Sequence, residues 1–250
     1  MGLLDLFLKK HKLAEVQIGN DRVEVYDWGY ERVVKFNGVV YSRLNSGSIY
    51  THEYWDFFLP MAFASERPRL LMIGLGGGTI AYQLDRLLGS RISIEAVEIN
   101  KEMIEVMGRF IGESLNLKVT VGDGAEYLAN KKGSYDAIIL DAYINDRIPE
   151  RFLENQFIES AASALSEGGL LGINFIKSSN GYPTFDAYVA LLKRSFKVFS
   201  IHTGFFTGNT VLLCSKKYGK ELLLERINRN FVVNKDNSFI IEGYALMKEL

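Results

Sequence analysis

Four apolar runs in the middle of this chain each end in residues able to do chemistry. Leu70 to Ile73 runs into Gly74, then Gly76, Gly77 and Gly78. Ile92 to Val97 ends in Glu98, Ile99 and Asn100, Leu117 to Val121 in Gly122, Asp123 and Gly124, and Tyr135 to Leu140 in Asp141. A glycine loop permits a tight turn and close approach of a ligand to the backbone. A helix behind it offers free N–H groups and the positive end of its dipole. A carboxylate about 20 residues further on, where Glu98 stands, is spaced to accept hydrogen bonds from ribose hydroxyls. Each feature has an ordinary alternative: a plain strand-to-helix turn, a solvated acid at a helix start for Glu98, a helix cap for Asp123, an Asx turn for Asp141. Their succession favours one pocket, because open α/β sheets bind ligands outside the carboxyl ends of their strands.

The chemistry of that pocket suits an adenosyl sulfonium. Glu98 is expected to take the ribose and Asp123 to sit by the adenine amino group, with Asp141 near the sulfonium and the acceptor. Three acids would repel a phosphate-rich cofactor, and the chain lacks a Gly-Lys-Ser/Thr loop for a nucleoside triphosphate. The same acids favour a cationic sulfonium with a cationic amine tail.

The elements that must position these residues follow from pattern. Before the glycine loop lie four short β-rich runs: Glu15 to Ile18, Arg22 to Asp27, Glu31 to Phe36 and Val39 to Leu44. Asn37-Gly38 between two of them is a strong hairpin signal. Thr51 to Ala64 reads as a helix with Thr51 as its N-cap. From Pro68 onward apolar strands alternate with helices over Thr79 to Leu88, Lys101 to Phe110, Ala125 to Asn130, Glu154 to Leu165 and Asp186 to Ser195. Gly168-Gly169 is expected to close the fourth of these before a strand over Leu170 to Phe175. Lys197 to His202 and Thr210 to Ser215 read as a closing antiparallel pair, and the tail from Lys220 as one helix with an undefined end. This order predicts an α/β fold: a doubly wound, Rossmann-like sheet over 65–250, preceded by a small antiparallel β domain over 1–64.

The 250 residues are 48% apolar and 24% charged, ample for a globular core. A net charge of −1 gives no global field to recruit nucleic acid or an anionic membrane. The single cysteine, Cys214, excludes an intramolecular disulfide and a cysteine-based metal cluster. It stands in the apolar run Val211 to Cys214 and reads as core rather than nucleophile. The opening MGLLDLFLKKHK has too short an apolar run for a signal peptide and does not match the myristoylation pattern. Its Leu3, Leu4, Phe7 and Leu8 mark one helical face, expected to pack on the body or on a second subunit, which makes a homodimer or higher homo-oligomer the expected state. No run is long enough to span a bilayer, so the cytoplasm is the expected compartment.

The segments MIGLGGGT, AVEIN, VTVGDGAEYL, YDAIILDAY and ALSEGGLLGINF, in this order, resemble the spermidine synthase family of polyamine aminopropyltransferases, which have a methyltransferase-like fold. VVKFNGVVYS followed by IYTHEYWDFFLPMAF resembles the family's hairpin, its gate-like segment with a Tyr-His-Glu signature, and the helix after it. The likeness covers Val23 to Phe175. It implies transfer of an aminopropyl group from decarboxylated S-adenosylmethionine to an amine or polyamine, with no metal. An alkylammonium has a pKa near ~10, so it must lose a proton before it can attack. A neighbouring carboxylate can take that proton, and the resemblance gives this role to Asp141. It also places Glu98 at the ribose, Asp123 and Gly124 at the adenine, and Ile99, Gly74, Gly76, Gly77 and Gly78 around the donor. Tyr41, Tyr50 and His52 are expected to line the acceptor side, the alternative for the tyrosines being the core of the small sheet. Tyr143 is expected to wall the sulfonium with its π face, and Ile144 to Pro149 to fold over the site. At three signature positions the chain departs from the family: Gly77 stands for an Asp that binds the donor's amine, Tyr41 for a Gln, and Ile144 for a second Asp. Alternatives are a methyltransferase using S-adenosylmethionine itself and a non-catalytic nucleoside-binding protein.

Overall fold

The computed structural model describes residues 10–144, 147–176, 184–203 and 208–250. The expected helical face of Leu3, Leu4, Phe7 and Leu8 lies outside them, as do Asn145 and Asp146 of the expected cover over the site. Strands β1 (Lys10–Ile18), β2 (Asp21–Trp28), β3 (Glu31–Phe36) and β4 (Val39–Asn45) form an antiparallel meander in that spatial order. Asn37 and Gly38 both adopt positive φ, 48° and 85°, the backbone a two-residue hairpin turn requires. β1 starts five residues earlier than its apolar pattern suggests. Polar pairing extends it: the Lys10 ammonium sits 4.4 Å from the centre of the Trp28 ring, and Lys12 pairs with Glu24 at 2.9 Å.

A 3-10 helix, Tyr54–Ala64, links this sheet to the larger one, and it is buried from Trp55 to Phe63. Apolar residues on every face give it a core position rather than a surface one. Thr51 does not cap it, which corrects the expectation above. The organiser is Asp56, inside the helix and fully buried, whose carboxylate accepts the N–H groups of Thr51 and His52, the Thr51 hydroxyl and the Gln83 amide. Only so many donors make a buried carboxylate tolerable there.

The larger sheet contains β5 (Arg69–Ile73), β6 (Ser93–Glu98), β7 (Leu117–Val121), β8 (Tyr135–Leu140), β9 (Leu165–Ile176), β10 (Lys197–His202), β11 (Asn209–Ser215) and β12 (Lys248–Glu249). Its spatial order is β12-β10-β11-β9-β8-β5-β6-β7. β7, β6, β5, β8 and β9 run parallel, and β11, β10 and β12 are antiparallel additions at the far edge. Helices α1 (Thr79–Leu88), α2 (Lys101–Ile111), α3 (Gly124–Leu128), α4 (Asn155–Ala164) and α5 (Phe185–Leu192) connect them, with α6 (Lys220–Asn230) and α7 (Ser238–Ala245) in the tail. One apolar layer joins the 3-10 helix, α1 and α6 on one face of the sheet, and a second packs α4 and α5 on the other. The chain is thus doubly wound as expected. β9, however, begins directly at Leu165, so Gly168-Gly169 lie inside the strand, where its pairing with β8 slips between Tyr135 and Ala137. A Cβ on Gly168 would meet the Tyr218 hydroxyl at 2.8 Å, which explains a glycine within a strand.

Candidate functional site

β5 lies between β8 and β6, so the loops after β8, β5, β6 and β7 stand side by side at one edge of the sheet. A cleft of about 550 Å³ opens there, roofed by the small sheet through Ile18, Phe36, Val39 and Tyr41. Gly74, Gly76, Glu98, Ile99, Asp123, Gly124, Asp141 and Tyr143 all line it. Gly74 has φ 86°, and a Cβ there would meet the Asp141 carbonyl at 2.4 Å, so only glycine lets β5 and the β8 loop come this close.

The Glu98 side chain is buried, and its two oxygens accept from the Leu75 and Asn100 N–H groups at 2.9 and 3.0 Å. Both ends of the carboxylate are thereby fixed at the rim of the glycine loop. Asp123 caps α3, accepting from Ala125 and Glu126, and its other oxygen pairs with Arg151. The cap and the cleft position coexist in one carboxylate. Gly124 is needed for packing, since a Cβ would meet Ile73 Cγ2 at 2.3 Å. Ile99, 57% exposed, presents an apolar face at the rim.

Asp141 sits at the floor. Tyr54 donates its hydroxyl to Oδ2 at 3.1 Å and Asn174 donates its amide to Oδ1 at 2.9 Å. Loss of water around the carboxylate raises its pKa to about 6, against the pull of these two donors. Burial and the nearby carboxylate raise the Tyr54 pKa in turn, so the phenol is a donor and not a competing base. The Tyr143 hydroxyl donates to the Asn174 carbonyl at 2.5 Å, which holds its ring against the wall. Among the described residues, carboxylates of Asp21, Glu98, Asp123 and Asp141 line the cleft against the guanidinium of Arg151, itself paired with Asp123. Such a lining favours a cationic ligand.

Four expected site residues stand outside the cleft. Gly77 and Gly78 turn into protein. The Gly77 N–H donates to Ser42 Oγ at 2.7 Å, and a Cβ on Gly77 would meet Ser42 Cβ at 2.7 Å and Val34 Cγ2 at 2.9 Å. Gly78, at φ 88°, faces Met107. Tyr50 is 5% exposed in the core, its hydroxyl accepting from Asn237. His52 is exposed and packs its ring 4.5 Å from that of Phe239. The turn fixed by Asp56 sends these two side chains away from Asp141 and brings Tyr54 in. Tyr54, Asn174 and Asn209 escaped the sequence reading. Asn174 had a signal, being the one polar side chain in the apolar run Leu170 to Phe175.

Comparisons with known proteins agree with this architecture. A probable spermidine synthase from Corynebacterium glutamicum superposes with a TM-score of 0.71 at 18% identity, covering 95% of each chain. Among curated proteins, a probable polyamine aminopropyl transferase from Bifidobacterium longum is 31% identical over 52% of this chain and 29% of its own length. A polyamine aminopropyltransferase from Chromobacterium violaceum is 33% identical over 46% of this chain and 45% of its own. The matched segment thus spans less than half the length of these relatives. The model of the spermine/spermidine synthase domain matches residues 57–181, half of the chain and the part that carries Gly74, Glu98, Asp123, Asp141 and Asn174. With fold, cleft and family model in agreement, this chain belongs to the spermine/spermidine synthase domain family.

Proposed function

We propose that this protein is an alkyl transferase that moves an aminopropyl group from decarboxylated S-adenosylmethionine to an amine. The observation that carries the reading is Asp141, held by Tyr54 and Asn174 at the floor of a cleft rich in carboxylates. Glu98 receives the ribose, Ile99 and Gly124 flank the adenine with Asp123, and Gly74 and Gly76 let the nucleoside approach the backbone. Tyr143 and Tyr54 wall the sulfonium, whose charge their π faces favour. Tyr41 roofs the acceptor side. The neutral amine nitrogen forms a bond to the carbon next to sulfur while the C–S bond breaks, and its electron pair returns to sulfur to give neutral methylthioadenosine. Asp141 takes the proton that the acceptor ammonium sheds before this attack, and the alkylated product keeps its charge as an ammonium. A carboxyl near 6 is closer to the operating pH than an ordinary aspartate, which suits it as base.

The same lining favours the decarboxylated donor. The α-carboxylate of intact S-adenosylmethionine would enter beside four acids, and Arg151 already serves Asp123. Calorimetric competition of the two donors tests this. Tighter binding of the decarboxylated donor is expected, whereas preference for S-adenosylmethionine would turn the reading to methyl transfer.

A further inference from the structure

Asp141 depends on an amide that could point either way. Asn174, 2% exposed on β9, offers Asp141 its Nδ2 at 2.9 Å. The two ends of an amide are nearly equal in size, and a half-turn would set Oδ1 against the carboxylate, oxygen facing oxygen. The fixed point is on the next strand. Asn209, at the start of β11, donates its Nδ2 to Asn174 Oδ1 at 2.8 Å. In the antiparallel register Asn209 pairs with Ile176 and Val211 with Asn174, so the two asparagines are diagonal neighbours on one face. The Thr203 hydroxyl holds the Asn209 carbonyl at 2.9 Å.

We propose that Asn209 is a positioning residue for the reaction, locking the Asn174 amide so that its N–H faces Asp141 and the carboxylate stays able to accept a proton. The inference rests on the reading of Asp141 as base. The groups facing that carboxylate are few. Tyr54 reaches it from the 3-10 helix, and Tyr143 follows it in the β8 loop. Glu98 and Asp123 line the same cleft from the ends of β6 and β7, and Arg151 is tied to Asp123. Among the described residues no charged side chain bonds to Asp141, so the orientation of one neutral amide has leverage over its proton affinity.

The test is a carboxyl carbon-13 NMR titration of aspartate-labelled protein, with the Asp141 signal assigned by its loss in Asp141→Asn. Asn209→Leu, close in shape and without the amide, is expected to raise the Asp141 midpoint about threefold to tenfold in proton affinity. Asn174→Leu is expected to raise it at least as far, and the double variant no further than Asn174→Leu alone. The acid limb of kcat/KM should move the same way with donor KM unchanged. An unmoved midpoint in folded Asn209→Leu overturns the proposal. So does an equal added shift in the Asn174→Leu background, or a raised acceptor KM with no shift. Asn209→Ser, which shortens the donor without adding bulk, answers the same question should the leucine variant not fold. The titration is read without substrate, so failure of aminopropyl transfer and failure of this proposal give different results.

Discussion

Glu98 spends one lone pair on each oxygen to hold Leu75 and Asn100, and a carboxylate has about four such sites. The remainder suffice for two ribose hydroxyls, each charge-assisted bond contributing about 1.5–3 kcal/mol. Glu98→Ala is therefore expected to weaken methylthioadenosine binding at least tenfold by calorimetry, and unchanged affinity would remove the ribose role. Asp141 carries a different signature. Its folded pKa of about 6 lies above the ordinary 3.8, so the ionised form is the one the fold disfavours. That contribution to stability is present below pH 4 and is lost as pH rises through 6. Asp141→Asn, neutral at every pH, should thus be more stable than the wild type at pH 8 by about 3 kcal/mol, from a little over two pKa units at 1.36 kcal/mol each. The difference should vanish near pH 4 in denaturant unfolding curves. A mutant no more stable at pH 8 would mean the carboxylate is not strained by burial. In kcat/KM the same group should give an acid limb bending near pH 6, with rate falling tenfold per unit below it.

At the scale of elements, β4 decides what the glycine loop can carry. Ser42 accepts the Gly77 N–H, and Arg43 and Thr79 exchange bonds beside it, so strand, loop and α1 form one clamp. The position where the family carries an acid has no room for a side chain here. Gly77→Asp is expected to cost about 1–3 kcal/mol by overpacking, with part of the loss recovered when Ser42→Gly is added. Equal stability of Gly77→Asp and wild type in urea would contradict the clamp. The strands that position the site were legible because β5, β6, β7 and β8 are apolar runs bounded by glycine or acid, a signal local in sequence. The helix ending at Ala64 was legible as well, but the turn that leads into it was not. Its path depends on Asp56 meeting Gln83 of α1, a contact 27 residues away that no local pattern announces. Asp56, held by Gln83 together with Thr51 and His52, fixes the turn after which Tyr54, and not Tyr50 or His52, reaches Asp141. Asn209 was hidden for the same reason, since only the β9–β11 register brings it to Asn174. The departure at Gly77 was visible as a letter, but its cause lay in Ser42 across the fold.

The whole molecule is a cleft between two sheets, its floor built by parallel strand ends and its roof by the antiparallel meander. A ligand there touches both, and stabilises the folded state by mass action. At a hundredfold excess over its Kd, methylthioadenosine should add about 2.7 kcal/mol. That corresponds to a rise in Tm of roughly 5–10 °C for a chain of this size, read by thermal shift and cut to about half or less in Glu98→Ala at the same concentration. The tail belongs to the same body: α6 packs on the 3-10 helix, Arg226 donates to the Ala64 carbonyl at 2.7 Å, and the Tyr244 hydroxyl donates to that of Phe57. The segment between Tyr50 and Ala64 is thus gripped from both sides, which keeps Tyr54 on Asp141. As proposed, this cleft joins an adenosyl sulfonium to an amine with Asp141 as base. The most direct test is mass spectrometry of methylthioadenosine released when the protein meets decarboxylated S-adenosylmethionine and a panel of mono- and polyamines. Release that depends on an amine, rises with pH, and falls about 10²–10⁴-fold in Asp141→Asn while donor affinity holds, is the expected result. Release at the wild-type rate by Asp141→Asn, or none with any amine despite tight donor binding, would contradict it.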